Sequence, residues 1–236
     1  MEALDPGTLG APRVLVVGAH PDDAEYYAGG TLLCFAEQGA YVALTVCTGG
    51  GRGGRDLDDP VAVRAAEQAA AAAVMGFAAR ENLGRTDGEL AVDEPLRESL
   101  VCALRRERPD IVVTHDPRAL FAPVRDRFRL QHSDHRATGQ GTLDAIYPRA
   151  PSRNFYPKQL RDLGLEPWYP REVWLMDTAE PTIAVDVSKT FERKLAALRA
   201  HRSQNLDDAL IRAQRSLGPS EEFVRLVLRK GEWRSR

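Results

Sequence analysis

Four short apolar stretches separated by helical stretches constrain the fold of this chain most. The predicted strands lie at residues 14–18, 41–47, 81–83 and 110–114. The first reads Val-Leu-Val-Val-Gly, without a polar side chain, which is typical of a strand buried on both faces of a parallel sheet. Helical stretches separate the strands at about residues 31–38, 61–75 and 94–108. This alternation predicts right-handed βαβ units and an α/β fold with a mostly parallel sheet.

Polar residues follow each of the four predicted strands. The loops after them contain His, Asp, Gly or Arg, at residues 20–23, 48–55, 85–88 and 115–116. The carboxyl ends of parallel strands share one edge of the sheet, and ligands of α/β folds bind there. We therefore expect the functional site at this edge.

A metal site is the first interpretation of the histidines near this edge. His20 and Asp23 are three positions apart in a tight loop that Pro21 shapes, so both side chains can turn inward. His135 would supply a third ligand from the first turn of a later helix. Two imidazoles and one carboxylate, with water in the fourth position, form a catalytic arrangement for Zn²⁺, and Fe²⁺ accepts the same ligands.

Three neighbouring residues are candidates for catalysis. Asp22 points away from its neighbour Asp23, so it is free to accept a proton from a metal-bound water molecule. His132 lies on the same helical side as His135 and could donate a proton or stabilise an oxyanion. Asp134 would orient one of the imidazoles.

Each of these two motifs also has a plainer interpretation. Residues 20–23 alone are compatible with a solvated turn whose Asp caps the next helix, and residues 132–135 with an exposed helix start. Their joint placement at one predicted sheet edge favours the metal site.

The second half of the chain is less regular. Residues 117–131 predict a long, arginine-rich connection. The five prolines between about residues 148 and 171 predict an irregular insertion, which we expect to form a mobile wall that selects the substrate. Trp168 and Tyr169 either stack on a ring of the substrate or pack this insertion. Further expected elements are helices at 133–147 and 189–201, strands at 172–176 and 182–187, and a helix or strand at 221–228.

Composition limits the partners and the compartment. The formal net charge of −2 gives no general attraction to nucleic acid or anionic membranes. The three cysteines lack a Cys-x-x-Cys spacing and suit a reducing compartment. Residues 1–12 lack the features of a signal peptide and predict a flexible tail. We expect a cytoplasmic protein with one domain, residues 13–236, and a homo-oligomer is compatible with the sequence.

The motifs resemble those of the PIG-L/LmbE-like de-N-acetylases. The resemblance rests on Ala-His-Pro-Asp-Asp at residues 19–23 and His-Ser-Asp-His at residues 132–135. It extends to Arg64-x-x-Glu67, Asp87-Gly88, Thr114-His115-Asp116 and the stretch 200–204. It implies a Rossmann-like three-layer sandwich with helices on both faces of the sheet. It also implies a zinc ion that hydrolyses the acetamide of an N-acetylglucosamine-type sugar or glycoconjugate.

The resemblance also implies roles for individual residues. By position, His20, Asp23 and His135 correspond to the metal ligands and Asp22 to the general base. His132 corresponds to the group that assists the tetrahedral intermediate, with Asp134 supporting it, and Arg64 and Asp87 to positions that hold sugar hydroxyls. The chain departs from some members at Ala24, where they have Glu, and its insertion at 148–171 matches none that we can place.

Other functions stay open at the level of sequence. The glycine-rich loop at residues 49–54 could hold a phosphate in a non-hydrolytic nucleotide-binding module, although it lacks the Gly-x-Gly-x-x-Gly and Gly-Lys-Ser/Thr patterns. The same metal site could also hydrolyse another amide, such as a thiol conjugate. His201 is either a charge at a helix end or a partner of the site.

Overall fold

The structure is a computed structural model that describes residues 1–54, 57–124, 127–204 and 208–228. Its strands in these ranges are β1 (Glu2–Ala3), β2 (Arg13–Gly18), β3 (Tyr41–Thr48), β4 (Ala79–Arg85), β5 (Ile111–His115), β6 (Phe121–Val124), β7 (Arg127–Leu130), β8 (Glu172–Met176), β9 (Ile183–Asp186) and β10 (Ser220–Val227). Its helices are α1 (Asp23–Glu37), α2 (Pro60–Met75), α3 (Glu94–Glu107), α4 (Ser133–Asp144), α5 (Pro157–Leu163), α6 (Phe191–Leu198) and α7 (Asp208–Leu217). None of these helices combines the length and the apolar character that crossing a membrane requires.

One eight-stranded sheet runs in the order β1-β9-β10-β8-β5-β2-β3-β4. Strands β8, β5, β2, β3 and β4 are parallel to their neighbours in this series, whereas β10 pairs antiparallel with both β8 and β9. The predicted α/β fold with a mostly parallel sheet is therefore confirmed. The carboxyl ends of these five strands share one edge, as βαβ units require.

Alternate residues of β2 show how the sheet separates two apolar cores. Val14 and Val16 pack into the core that contains α1, whereas Leu15 and Val17 pack into the core formed with α3. All four side chains are buried. The unbroken apolar stretch therefore supplies buried side chains to both faces of the sheet. Helices pack on both faces, which produces the three-layer sandwich.

The start of α2 and the end of α4 follow local sequence signals, whereas α1 begins at Asp23, eight residues before its expected start, and has no side-chain cap. Asp59 accepts a hydrogen bond from the backbone N–H of Ala62 (3.0 Å) and Pro60 occupies the first turn, so α2 begins where the sequence predicts. The helix expected at 133–147 ends at Asp144. A five-residue π-helical turn (Ala145–Arg149) follows it and contains Pro148, which cannot continue the regular hydrogen-bond pattern.

Several segments differ from the expectation. Residues 1–12, expected to form a flexible tail, contribute β1, which pairs parallel with β9 through backbone hydrogen bonds. A strand of two residues is too short to show an alternating pattern of side chains, so the sequence gives no signal for it. The connection at 117–131 contains the antiparallel β6–β7 hairpin, and the segment at 221–228 forms β10. Helix α7 was not predicted.

The insertion at 148–171 is anchored by a buried arginine of α3. Arg105 is 1% exposed, and its guanidinium donates hydrogen bonds to the carbonyl oxygens of Ala150 (3.1 Å), Ser152 (2.7 Å) and Phe155 (3.1 Å). It also donates to Oε1 of Gln159 in α5 (3.2 Å). The expectation of an irregular segment is therefore wrong in part, because the insertion contains a helix and its backbone is tied to α3.

Trp168 of the insertion packs at the end of the sheet opposite the candidate site, and no residue of 148–171 lines the cavity described below. Trp168 donates from its indole to the carbonyl oxygen of Pro109 (2.8 Å), just before β5 begins, and packs under the guanidinium of Arg108 at 4.4 Å. These contacts are at the amino end of β5, opposite the edge where ligands bind. The expectation of a wall over the pocket is wrong, and Trp168 has the packing role.

We expect Arg105→Met to destabilise the protein strongly. The change keeps a long apolar side chain but leaves several buried carbonyl groups without a donor, which should lower the free energy of unfolding by about 3 kcal/mol. Urea denaturation measures the difference. Arg106→Met is the matched control, since Arg106 is an exposed neighbour whose ion pairs with Glu81 and Glu107 should contribute about 1 kcal/mol or less. Equal losses in the two variants would contradict the anchoring role.

Candidate active site

A cavity of about 280 Å³ opens at the carboxyl edge of the parallel strands. The loops after β2, β3 and β4 and the start of α4 contribute to it, as does the segment after α6. Its lining residues are His20, Asp22, Asp23, Arg52, Gly53, Arg64, Asp87, Gly88, His132, His135 and Gln204. Eight residues are predicted from the sequence to be ligands, catalytic groups or substrate contacts. Seven of them line this cavity, and the eighth, Asp134, lies directly behind it.

The predicted ligand set converges in the structure. Ligand atoms of His20, Asp23 and His135 all lie within 4.8 Å of one another. Nδ1 of His20 is 3.2 Å from Nε2 of His135, and Oδ1 of Asp23 is 3.3 Å from the same Nε2. Two facing imidazole nitrogens can approach this closely only with a shared proton or a cation between them. The donor set and its geometry therefore fit a divalent metal.

The charges around the imidazoles of His20 and His135 also favour a bound cation. Burial opposes protonation of His20, but hydrogen bonds with Asp134 and Asp87 and the charge of Asp23 raise its pKa to about 10. Burial likewise opposes protonation of His135, whose pKa Asp23 and Asp177 raise to about 9. The carboxylates thus create a potential that stabilises positive charge at this position, which a metal cation supplies in place of protons.

Two further trios in the described ranges also have their ligand atoms within 4.8 Å of one another. They are His20, Asp87 and His132, and His115, His135 and Asp177. Each uses a histidine of the first trio, so they surround one centre rather than forming separate sites. The predicted trio is the only one of the three that contains both shared histidines.

Asp22 lies beside the cluster in an unusual backbone conformation. Its φ of 106° is in the left-handed region, which a non-glycine residue adopts at a cost that tertiary contacts must offset. Its N–H donates to Oε1 of Gln68 (3.2 Å), and its Oδ2 accepts from Nη2 of Arg64 (3.2 Å). Burial raises the pKa of Asp22 to about 6, against the opposing charge of Arg64.

His132 precedes α4 as its N-cap. Its Nδ1 accepts a hydrogen bond from the N–H of Asp134 (3.1 Å), so the neutral ring carries its proton on Nε2. The side chain is 44% exposed, and burial together with His20 and His135 lowers its pKa. These features give His132 a free N–H donor at the pocket.

Asp134 is fully buried and supports His20 more closely than His132. Its Oδ2 is 3.4 Å from Nε2 of His20, whereas its Oδ1 is 4.0 Å from Nδ1 of His132. It also accepts hydrogen bonds from the N–H groups of Gly88 (2.7 Å) and Leu90 (3.3 Å). Asp134 therefore links the loop after β4 to the imidazole of His20.

The two residues expected to hold sugar hydroxyls are engaged by the protein itself. Arg64 is 3% exposed and donates to the carbonyl oxygens of Gly50 (2.8 Å) and Pro21 as well as to Asp22. Oδ1 of Asp87 is 3.0 Å from Nε2 of His20, and its Oδ2 accepts from the N–H of Arg52 (2.8 Å). Both border the cavity, and their roles in substrate binding stay predictions.

The glycine-rich loop forms part of the cavity wall. Gly50 has a φ of 64°, and a Cβ there would lie 2.3 Å from Nη1 of Arg64, so only glycine fits. The N–H of Arg52 already donates to the carboxylate of Asp87, which occupies a place that a phosphate would need. The loop's contacts therefore favour a substrate wall over a phosphate-binding nest.

Sequence reasoning gave no role to two residues of the site and left a third open. His115 is fully buried and its Nε2 is 3.0 Å from Oδ2 of Asp23. Asp177, with a φ of 55°, places Oδ2 3.4 Å from Nδ1 of His135. They stand at the ends of strands β5 and β8. The strand-end rule placed His115 at this edge without giving it a role, and the same rule could have found Asp177. His201 is fully buried with Nε2 3.7 Å from Oε2 of Glu25, and neither residue lines the cavity, so its role stays open.

A mostly parallel α/β sheet that gathers two imidazoles and a carboxylate at an open pocket is an arrangement that metal-dependent hydrolases use. Comparison with known proteins agrees with this class. Residues 15–146 match the family described as PIG-L, GlcNAc-PI de-N-acetylase. The chain belongs to this family.

Individual relatives cover most of the chain. It is 31% identical over 200 residues to the diacetylchitobiose deacetylase of Thermococcus kodakarensis, covering 83% of this chain and 71% of the relative. It is 29% identical to the 1D-myo-inositol 2-acetamido-2-deoxy-alpha-D-glucopyranoside deacetylase 2 of Saccharopolyspora erythraea, covering 92% and 93%. The solved structure of N,N'-diacetylchitobiose deacetylase from Pyrococcus horikoshii has a TM-score of 0.81 and 28% identity, covering 92% of this chain and 84% of that one.

Proposed function

We propose that this protein hydrolyses the acetamide of an N-acetylglucosamine-type amino sugar or glycoconjugate and releases acetate. The observation that carries the proposal is the position of Asp22 beside the trio of His20, Asp23 and His135 at one open cavity. A carboxylate next to a metal-binding trio, and not needed as a ligand, is what hydrolysis by an activated water molecule requires.

The ligands of the metal would be His20, Asp23 and His135, with zinc as the proposed ion. A zinc ion bound there supplies Lewis acidity to the hydrolysis of an amide. The nitrogen and oxygen donors would also accept iron(II). Asp87, Asp134 and Asp177 contact the imidazoles from outside and hold their orientation.

Asp22 is the proposed general base. It accepts a proton from the attacking water molecule as the water oxygen bonds to the acetamide carbon. The pKa of about 6 suits this role, since a base near neutrality is ionised yet still accepts a proton readily. Asp22 then returns the proton to the sugar nitrogen as the carbon–nitrogen bond breaks. Arg64 and Gln68 hold the carboxylate and the backbone of Asp22 in place.

His132 is proposed to hydrogen-bond the oxyanion of the tetrahedral intermediate. The sequence left two roles open for this residue, proton donation and oxyanion stabilisation. A neutral imidazole whose Nδ1 accepts from the backbone offers an Nε2–H donor but has no second proton to transfer. The geometry therefore favours stabilisation of the oxyanion.

The names of the relatives support the substrate class. The diacetylchitobiose and inositol deacetylases are both named for a sugar with an acetamido group, and they differ in what is attached to that sugar. The common feature is the acetamido sugar, so we place recognition there. The wall of the pocket that would meet it contains the glycine-rich loop and Gln204.

Release of acetate from a panel of N-acetyl sugars tests the function directly. The purified protein, reconstituted with zinc, should release acetate from at least one N-acetylglucosamine derivative and lose this activity when a chelator removes the metal. The panel should include N-acetylglucosamine, diacetylchitobiose, an inositol-linked N-acetylglucosamine and a thiol-conjugate amide. Hydrolysis of the thiol-conjugate amide frees a different acid, so it is followed by the amine that appears. Cleavage of that amide alone, or no acetate from any sugar with the zinc-loaded protein, would contradict the proposal.

Arg64→Ala should weaken catalysis without removing the metal. The substitution removes the cation that contacts Asp22 and three buried hydrogen bonds, so we expect KM to rise and kcat to fall, with kcat/KM about 10–100-fold lower. Zinc stoichiometry should not change. Arg118→Ala is the control, because its exposed arginine pairs with Asp116 outside the cavity. Unaltered kinetics on every accepted sugar would show that Arg64 is not part of the functional site.

A further inference from the structure

His115 is a buried titratable residue at the cluster that the mechanism above does not use. It ends β5, is fully buried, and stacks on the ring of His135 with centroids 4.0 Å apart and planes 22° apart. Its Nε2 is 3.0 Å from Oδ2 of Asp23. A buried imidazole in contact with two proposed ligands calls for a function.

The contact with Asp23 determines which ring nitrogen of His115 carries the proton. Oδ2 of Asp23 already accepts hydrogen bonds from the N–H groups of Ala19 and His20, both at 2.8 Å. An ionised carboxylate only accepts, so Nε2 of His115 must carry the hydrogen of the third bond. Nδ1 of His115 is buried and has no hydrogen-bond partner within the described ranges, so Asp23 is the only polar group that holds this ring.

The two oxygens of Asp23 are consequently unequal. Oδ2 receives three N–H donors, two from the loop after β2 and one from β5. Oδ1 faces Nε2 of His135 at 3.3 Å and lies on the side of the proposed metal. The donors on Oδ2 oppose rotation of the carboxylate and leave the lone pairs of Oδ1 available.

We propose that His115 is a positioning residue that holds Oδ2 of Asp23 through its Nε2–H and thereby reserves Oδ1 for the metal. The inference rests on the proposed function in one respect, the assignment of Asp23 as a ligand. Groups that orient metal ligands typically contribute about 10–100-fold to metal affinity. A contribution of this size should appear in metal binding without any substrate.

The competing explanation is that His115 only fills space against His135. Two amide substitutions separate the explanations, because they place an N–H donor at different distances from the backbone. His115→Gln extends its amide to about the position of Nε2, whereas His115→Asn places it near Nδ1, short of Asp23. His115→Leu fills the space with no donor at all.

The experiment is a zinc-affinity measurement on the full chain by competition with a chromophoric chelator, together with thermal unfolding of the metal-free proteins. We expect His115→Gln to bind zinc within a few-fold of the unmodified protein. His115→Asn and His115→Leu should bind about 10–100-fold more weakly. Thr114→Val is the control for lost burial, since Thr114 is the preceding buried residue and its hydroxyl bonds to Val17 rather than to the site.

Three outcomes would overturn the inference. These are equal zinc affinity in all variants, an equal loss in the Gln and Asn variants, or an affinity loss in Thr114→Val as large as in His115→Asn. If His115→Leu does not fold, the comparison of the Gln and Asn variants still decides the question. The readout needs no turnover, so a protein that binds zinc in this pattern but releases no acetate would refute the proposed function and leave the role of His115 intact.

Discussion

After reconstitution with zinc, Asp22→Asn is expected to retain the metal and lose kcat by a factor on the order of 10²–10⁴. Asparagine keeps the size of the side chain and an oxygen that can accept from Arg64, but it cannot take a proton from water. The loss should fall on kcat more than on KM, because the base acts in the transition state. The backbone contact with Gln68 does not depend on the side chain, so the loop should keep its shape.

Zinc stoichiometry and steady-state kinetics on the same preparation measure this effect. Asp186→Asn is a suitable control, since it makes the same chemical change at an exposed carboxylate that bonds to Ser188. A normal kcat in Asp22→Asn would exclude Asp22 as the base. A variant without zinc would instead place Asp22 among the ligands.

Asp23→Ala should lose zinc and activity together. Two imidazoles alone hold zinc poorly, and the negative charge that compensates the cation would be gone. The change also leaves the buried N–H groups of Ala19 and His20 without an acceptor, which should reduce stability. Asp23→Asn keeps an oxygen for these donors, so it separates the loss of metal from a loss of folding.

Variants of the two neighbouring aspartates should therefore both lose activity but differ in their metal content. Metal analysis of both Asp23 variants, with circular dichroism to establish folding, completes the comparison. Loss of zinc in Asp22→Asn with retention in Asp23→Asn would exchange the two roles. Retention of zinc and full rate in all these variants would mean that the site lies elsewhere.

The sequence was most informative where a single local pattern determines the structure. Strand β2 carries apolar side chains for both faces, and this unbroken stretch predicted a buried parallel strand. Residues 20–23 were placed at the ligand-binding edge because strand direction fixes where the loops of a parallel sheet lie. Residues 132–135 follow no predicted strand, and it was their pair of histidines that assigned them to the same site. The helix start at Asp59 and Pro60 was predictable for the same reason, since capping depends on neighbouring residues.

Long-range polar contacts were not predictable in this way. Arg105 looks like any other arginine of an amphipathic helix, yet it holds the insertion through carbonyl groups about 50 residues away in the chain. The sequence placed Arg64 and Asp87 at the site. It did not predict that Arg64 pairs with Asp22 and Asp87 with His20, because the sequence does not state which oxygen each donor meets. Asp177 was overlooked although it follows a predicted strand directly.

The position of β10 in the sheet has a consequence for the order in which the chain folds. This strand comes after every other strand described, yet it lies between β8 and β9 and pairs with both. During synthesis the parallel half of the sheet, with β2, β3, β4 and β5, can assemble while one edge of β8 stays unpaired. An open strand edge can pair with other chains, so we expect a nascent chain to carry this risk of aggregation until β10 emerges.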